Sequence, residues 1–171
     1  QHIYVTGSPM KEVINAHREE IDKSDVLSRL GLEKKKYIIL SAHREENIDI
    51  LQNFEKLVNS INQLAETYNI PVIYSMHPRS EKYIKERNVI FHNFVRPMPP
   101  FCFTEYSALM KNAFCVVSDS GTMPEEAAIG HFPAVCIRTS TERPEALDKG
   151  DFVIGGIGEN EVLQAVDMVT K

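Results

Sequence analysis

Short apolar runs alternate along this chain with longer stretches whose apolar residues recur at helical spacing. Tyr37 to Ala42 follows a Lys-rich turn and reads as a buried strand. From Asp49 to Tyr68, residues Ile50, Leu51, Phe54, Leu57, Val58, Ile61 and Leu64 form one wide apolar stripe, the period of an amphipathic helix. Further strands are expected at Pro71 to Ser75, Val89 to Phe91, Phe114 to Ser118, Ala134 to Ile137 and Phe152 to Ile154. Helices are expected at Ser80 to Arg87, Thr104 to Asn112, Pro144 to Lys149 and Asn160 to Thr170, and at Thr122 to Ile129, stopped by Gly130. Residues 8–36 are mostly charged, with a helical pattern opening at Pro9, and read as a helical connection. There is no internal repeat.

Strands with unbroken apolar runs, separated by helices, indicate a parallel sheet covered on both faces. With right-handed crossovers the fold class is α/β, a doubly wound Rossmann-like domain over residues 37–171. Such sheets bind ligands at the carboxyl ends of their strands. Four polar clusters fall there: His43-Arg44-Glu45-Glu46-Asn47, His77-Pro78-Arg79, Ser120-Gly121, and Arg138 to Arg143. Their coincidence on one sheet edge points to a site for an anionic ligand.

The richest of these is Ser118-Asp119-Ser120-Gly121-Thr122-Met123-Pro124-Glu125-Glu126-Ala127. A strand ends there in a small-residue turn and a helix begins. Free N–H groups at such a junction bind phosphate, and Gly lets it come close. Glu126 lies about one turn into the helix, within reach of a sugar diol beside a bound phosphate. Ser, Asp and Gly are also ordinary capping and turn residues. Arg44 can fork onto phosphate oxygens or pair with Glu45 or Glu46. His77, held extended by Pro78, either lines the cleft or bonds to its own loop. Tyr106 either packs in the core or stacks on a base. Thr141 and Pro144 explain part of the Arg138–Arg143 cluster as a helix start, but leave two arginines flanking three hydroxyls. His and Glu near residue 43 match no zinc spacing, so no metal is expected.

Composition narrows the partners. The 171 residues suffice for one full-sized domain. A formal net charge of −5 without a long basic run argues against nucleic acid and anionic membrane. The apolar runs are strand-sized, too short to span a bilayer. Cys102, Cys115 and Cys136 show no pairing motif, and the latter two sit in apolar runs, which suits a reducing cytoplasm. A start at Gln1, directly into the strand-like His2 to Val5, suggests a piece of a longer protein.

Four pieces together resemble the non-hydrolysing UDP-N-acetylglucosamine 2-epimerase family. They are Val5-Thr6-Gly7-Ser8-Pro9, Ser41-Ala42-His43-Arg44-Glu45-Glu46-Asn47, Asp119-Ser120-Gly121-Thr122 with Glu125-Glu126-Ala127, and Arg138 running into Thr141-Glu142-Arg143-Pro144-Glu145. They stand in the family's order across nearly the whole chain. The resemblance implies the C-terminal half of a glycosyltransferase-B type fold, entered through residues 1–36, with the active site in a cleft against an N-terminal domain. It implies that Ser120, Gly121 and Thr122 bind the diphosphate of a UDP-sugar, that Glu126 binds the ribose and that Tyr106 lies beside uracil. Arg44, Arg138 and Arg143 would line the pocket, and His43 would be the one catalytic residue present. In some members a histidine at the place of His77 holds a second nucleotide-sugar. The full protein is expected to be a cytoplasmic homodimer with no metal and no cofactor.

The family reaction inverts C2 of the sugar by eliminating UDP and adding it back. Its acids and bases belong to the N-terminal half, so this chain is expected to bind UDP without turnover. Thr122 stands where the family has a second Gly, Pro124 where it has Gln, and Glu45 where one common form has Arg. With Ser8-Pro9-Met10-Lys11-Glu12, these departures resemble the capsule and O-antigen branch that makes UDP-N-acetyl-L-fucosamine. A UDP-sugar glycosyltransferase donor domain is the alternative on the same fold.

Overall fold

The computed structural model describes residues 8–138 and 152–171. The expected strand at residues 2–5 and helix at 144–149 lie outside them. Six parallel strands form one sheet: β1 (Ile38–Ser41), β2 (Val72–Ser75), β3 (Val95–Met98), β4 (Cys115–Ser118), β5 (Ala134–Ile137) and β6 (Phe152–Gly155). Their order is β3-β2-β1-β4-β5-β6. The central pairing sets Ile38 against Cys115 and Ser41 against Ser118, so β1 and β4 end level with each other.

The strands are apolar throughout because both faces are covered. Ile38, Leu40, Val117, Val135 and Ile137 point into one core cluster, under α5 (Leu51–Tyr68) and α9 (Glu159–Thr170). Ile39, Val116, Ala134 and Cys136 point into a second. That one is covered by α2 (Arg18–Lys23), α3 (Val26–Arg29), α7 (Phe103–Asn112) and α8 (Met123–Gly130). The apolar stripe of α5 buries Phe54, Leu57, Ile61 and Leu64, and Asn69 ends that helix in the left-handed region at φ 53°. Residues 8–36 are helical as expected, with α1 (Met10–Ala16) preceding α2 and α3, and Ile21, Val26 and Leu32 belong to the second cluster. Cys115 and Cys136 are buried small hydrophobes, whereas Cys102 is exposed.

Three details differ from the sequence reading. Val89 and Phe91 are not a strand; they pack as partly buried loop residues, and the edge strand is β3, Val95–Met98. Pro97 within it disguises the strand, and an edge position tolerates a residue that cannot donate to the ladder. The long helix begins at Leu51 and is preceded by a separate turn, α4 (Glu45–Ile48), because Ile50 is extended at ψ 113°. Gly130 does not stop α8. It is the last helical residue, and His131 takes the left-handed turn at φ 51°. Gly130 is needed there for space, since a Cβ would lie 2.6 Å from the Phe132 ring.

Candidate functional site

The strand order reverses between β1 and β4, and in open α/β sheets the ligand crevice lies at that point, outside the carboxyl ends of the strands. Asp119, the first residue after β4, organises it from a fully buried position. Its carboxylate accepts from the backbone N–H of His43 at 3.0 Å, from that of Arg44 at 2.9 Å, and from Asn47 Nδ2 at 3.0 Å. Asn47, itself buried, also donates to the carbonyl of Ile137 at 3.3 Å. One carboxylate thus pins the β1 loop to the end of β4, while Asn47 ties it to β5.

The cationic side chains are aimed by the same scaffold. Arg44 Nε donates to the Asp119 carbonyl at 2.8 Å, which turns the rest of its guanidinium over Gly121. A Cβ placed on Gly121 would lie 3.6 Å from Arg44 Nη2 and 4.0 Å from Arg138 Nη1. Two guanidinium groups from different strands therefore converge on one glycine. Arg138 is 8% exposed, and its buried Nε has no hydrogen-bond partner among the described residues. An unpaired buried donor of this kind fits an anion that carries negative charge to it.

The turn itself is more self-satisfied than expected. Ser118 Oγ accepts from the Ser120 N–H at 3.1 Å, and Ser120 Oγ accepts from the Thr122 N–H at 3.4 Å. The hydroxyls of Ser120 and Thr122 are 3.0 Å apart, and Thr122 Oγ1 donates to Glu126 Oε1 at 3.4 Å. Pro124, at the start of α8, brings no N–H. The expected helix-terminus donors are thus partly used up inside the loop, and the positive charge beside Gly121 belongs to Arg44 and Arg138.

Glu126 lies in the first turns of α8, and burial pushes its carboxyl above the ordinary value while the Thr122 hydroxyl pulls the other way. Beyond it an apolar cavity of about 350 Å³ opens between helices, walled by Ile14, Ile21, Met110, Ile129 and Phe132. Tyr106 lies as the packing alternative had it. Its ring packs at the margin of the second core cluster, but its hydroxyl is buried without a hydrogen-bond partner. Burial, with the Glu126 charge nearby, raises that hydroxyl far above its ordinary value.

His43 and His77 share one side of the crevice. Their ring centroids are 5.8 Å apart, and His43 Nδ1 lies 3.2 Å from Asp119 Oδ1. His77 caps α6 (Pro78–Glu86), its Nδ1 accepting from the Arg79 N–H at 3.2 Å. It therefore bonds to its own loop, with its ring beside that of His43. Arg79 ties that loop to the β1 loop through Glu45 at 2.8 Å and Asp49 at 3.2 Å, so Glu45 pairs with Arg79 and leaves Arg44 to the crevice. Arg143 lies outside the described residues. Among the described residues there is no cluster of three or more His, Cys, Asp or Glu able to hold a metal. No helix among them is long and apolar enough to cross a membrane.

The family model for UDP-N-acetylglucosamine 2-epimerase matches residues 1–171. The chain belongs to that family. It is 34% identical to a UDP-N-acetylglucosamine 2-epimerase of Methanococcus maripaludis over its whole length, which is 49% of that relative. It superposes on the UDP-N-acetylglucosamine 2-epimerase of Rickettsia bellii with a TM-score of 0.83 at 38% identity, covering 96% of this chain and 43% of that one. Against the Methanocaldococcus jannaschii UDP-GlcNAc 2-epimerase in complex with UDP-GlcNAc and UDP the TM-score is 0.89 at 29% identity, covering 99% and 48%. The chain spans about half the length of the curated relatives it matches. It is a Rossmann-like half of a glycosyltransferase-B type fold, and an epimerase-family domain. Reasoning from sequence missed two residues of this epimerase-family crevice, Asp119 and Asn47 in their bridging role. Both stand inside the matching motifs, but their burial and mutual contact appear only once β1 and β4 are adjacent.

Proposed function

We propose that this chain is the C-terminal, UDP-binding domain of a nucleotide-sugar 2-epimerase that inverts C2 of a UDP-2-acetamido sugar by eliminating UDP and adding it back. The observation that carries this is the convergence of Arg44 and Arg138 over Gly121, at the strand ends where buried Asp119 also holds the His43 loop. A diphosphate over Gly121 meets two positive charges. Elimination leaves its electron pair on the departing β-phosphate oxygen, and fixed cations there stabilise the charge as it develops. Glu126 accepts from the ribose hydroxyls, Tyr106 borders the base side, and His43 faces the junction of diphosphate and sugar. The proton at C2 is handled from the N-terminal half of the whole protein. The UDP-GlcNAc and UDP bound by the Methanocaldococcus relative support a ligand of this class. Thr122, Pro124 and Glu45 favour the capsule and O-antigen branch, in which the sugar is an L-talose derivative epimerised to UDP-N-acetyl-L-fucosamine.

Incubation of a full-length protein carrying this domain with a UDP-2-acetamido sugar in deuterated water tests the reading. Deuterium should enter at C2 of recovered substrate and product. Sugar transfer to an acceptor with C2 unlabelled would make the domain a glycosyltransferase donor module instead. At the anion site, Arg138→Met should weaken UDP binding by about 10- to 100-fold, the cost of one charged hydrogen bond. It should not lower the thermal midpoint of the ligand-free domain, because the Nε donor it removes is buried without a hydrogen-bond partner among the described residues. Calorimetry and a thermal scan on the same variant check both halves.

A further inference from the structure

We infer that Thr122 is a positioning residue whose hydroxyl holds Oε1 of the Glu126 carboxylate, so that Oε2 is presented to a ligand diol. The order of the protons carries this. Thr122 Oγ1 donates to Glu126 Oε1 at 3.4 Å and lies 3.0 Å from Ser120 Oγ. Distance alone lets either hydroxyl donate in the second contact. An ionised carboxylate only accepts, so the single Thr122 hydroxyl proton goes to Glu126, and Ser120 is the donor to Thr122. The Thr122 N–H in turn donates to Ser120 Oγ at 3.4 Å. Thr122 is thereby closed into a small ring with Ser120, which fixes its side chain. Its carbonyl also accepts the Glu126 N–H at 3.1 Å. One residue therefore holds Glu126 by both backbone and side chain, and one chain of hydroxyls runs from the Gly121 turn to the Glu126 carboxylate.

The hydroxyl is a departure from the family's loop, because Thr122 stands where the family has a second Gly, which brings no donor. Burial disfavours the charge on Glu126, and the Thr122 hydroxyl is the group that favours it. With Oε1 held, the carboxylate is ordered before a ligand arrives, and a diol meets Oε2 without the cost of fixing that side chain. That the diol belongs to a ribose rests on the nucleotide-sugar reading above. The contact between Thr122 and Glu126 does not, so the two fail separately.

Thr122→Val keeps the shape and removes the hydroxyl, and Thr122→Ser returns it. The ¹³C titration of the Glu126 carboxyl in the ligand-free 171-residue chain, assigned by the signal lost in Glu126→Gln, reads the contact directly. It should move to higher pH in Thr122→Val and back in Thr122→Ser, because a donor to the charged form is lost and regained. The other titratable groups around Glu126 are common to all three proteins: Arg18 and Asp22 from α2, Tyr106 and Lys111 from α7, and His131 after α8. Calorimetry with UDP and 2′-deoxy-UDP reads the positioning. The preference for UDP should shrink by about 3- to 10-fold in Thr122→Val, the worth of one neutral hydrogen bond, and recover in Thr122→Ser. Where Thr122→Val does not fold, Thr122→Ala is the hydroxyl-free variant for both measurements. An unmoved titration overturns the inference, and so does a Ser variant that behaves like Val. A moved titration with the UDP preference unchanged overturns the positioning role. Equal affinity of the wild type for the two nucleotides overturns the ribose assignment of Glu126, while the titration still decides the contact.

Discussion

Asp119→Ala should lower the unfolding free energy of this domain by about 3–5 kcal/mol, because it leaves three buried donors without their acceptor. The side chain is fully buried and serves three donors from another strand's loop. Truncation leaves the Asn47 amide and two backbone N–H groups facing a cavity, each costing about 1–3 kcal/mol where water cannot reach it. Against a typical domain stability of about 5–15 kcal/mol this is a large fraction. Urea denaturation of the 171-residue chain measures it. A loss below about 1 kcal/mol would mean that the His43–Asn47 loop finds other acceptors and that Asp119 is not its anchor. Asp119→Asn should lose much less, because one oxygen can still take the three donors. The contrast between the two substitutions isolates what the acceptor oxygen does for the fold.

The parts of the molecule that could be read from sequence are those written in period and punctuation. The stripe from Phe54 to Leu64 could only be a helix lying on a sheet, and the runs at Tyr37–Ala42 and Phe114–Ser118 could only be strands buried on both faces. Once those were parallel neighbours, the rule that ligands sit at the strand ends pointed to the edge where β1 and β4 finish before any side chain was placed. The edge strand escaped because Val95-Arg96-Pro97-Met98 has neither alternation nor a clean apolar run, and only its place beside β2 makes it a strand. The interior of the site was illegible for a different reason. Nothing in the spacing of Asp119 and Asn47 says that they meet, since 72 residues separate them and a hydrogen bond joins them. Likewise the turn at Ser118–Thr122 read as a set of open donors, whereas its own hydroxyls close two of them. Local chemistry is legible in a motif; which of its groups remain free after folding is a property of the packed loop.

Glu126 shows that distinction as a conflict between stability and binding. Its carboxyl titrates above the ordinary 4.5 because burial disfavours the charged form more than the Thr122 hydroxyl favours it. The sign follows directly. Between the unfolded and the raised folded pKa the native state holds more protons, so stability falls as pH rises through that window, and above it the whole penalty is present. Glu126→Gln removes the charge at nearly constant shape. The ligand-free variant should therefore melt higher than wild type at pH 7 to 8, with the difference shrinking as the pH approaches about 4.3, where the unfolded carboxyl also protonates. UDP binding should move the opposite way and weaken by about 10- to 100-fold, the equivalent of a hydrogen bond to a charged acceptor. Thermal scans across pH and calorimetry with UDP check the two arms. A variant that melts lower at pH 7 would show that the carboxylate is compensated in the native state. One that melts higher but binds UDP as tightly as wild type would remove Glu126 from the ribose. Gain on one arm with loss on the other is what a site residue held at a cost to the fold should produce, and neither arm alone would distinguish it from an ordinary half-buried glutamate.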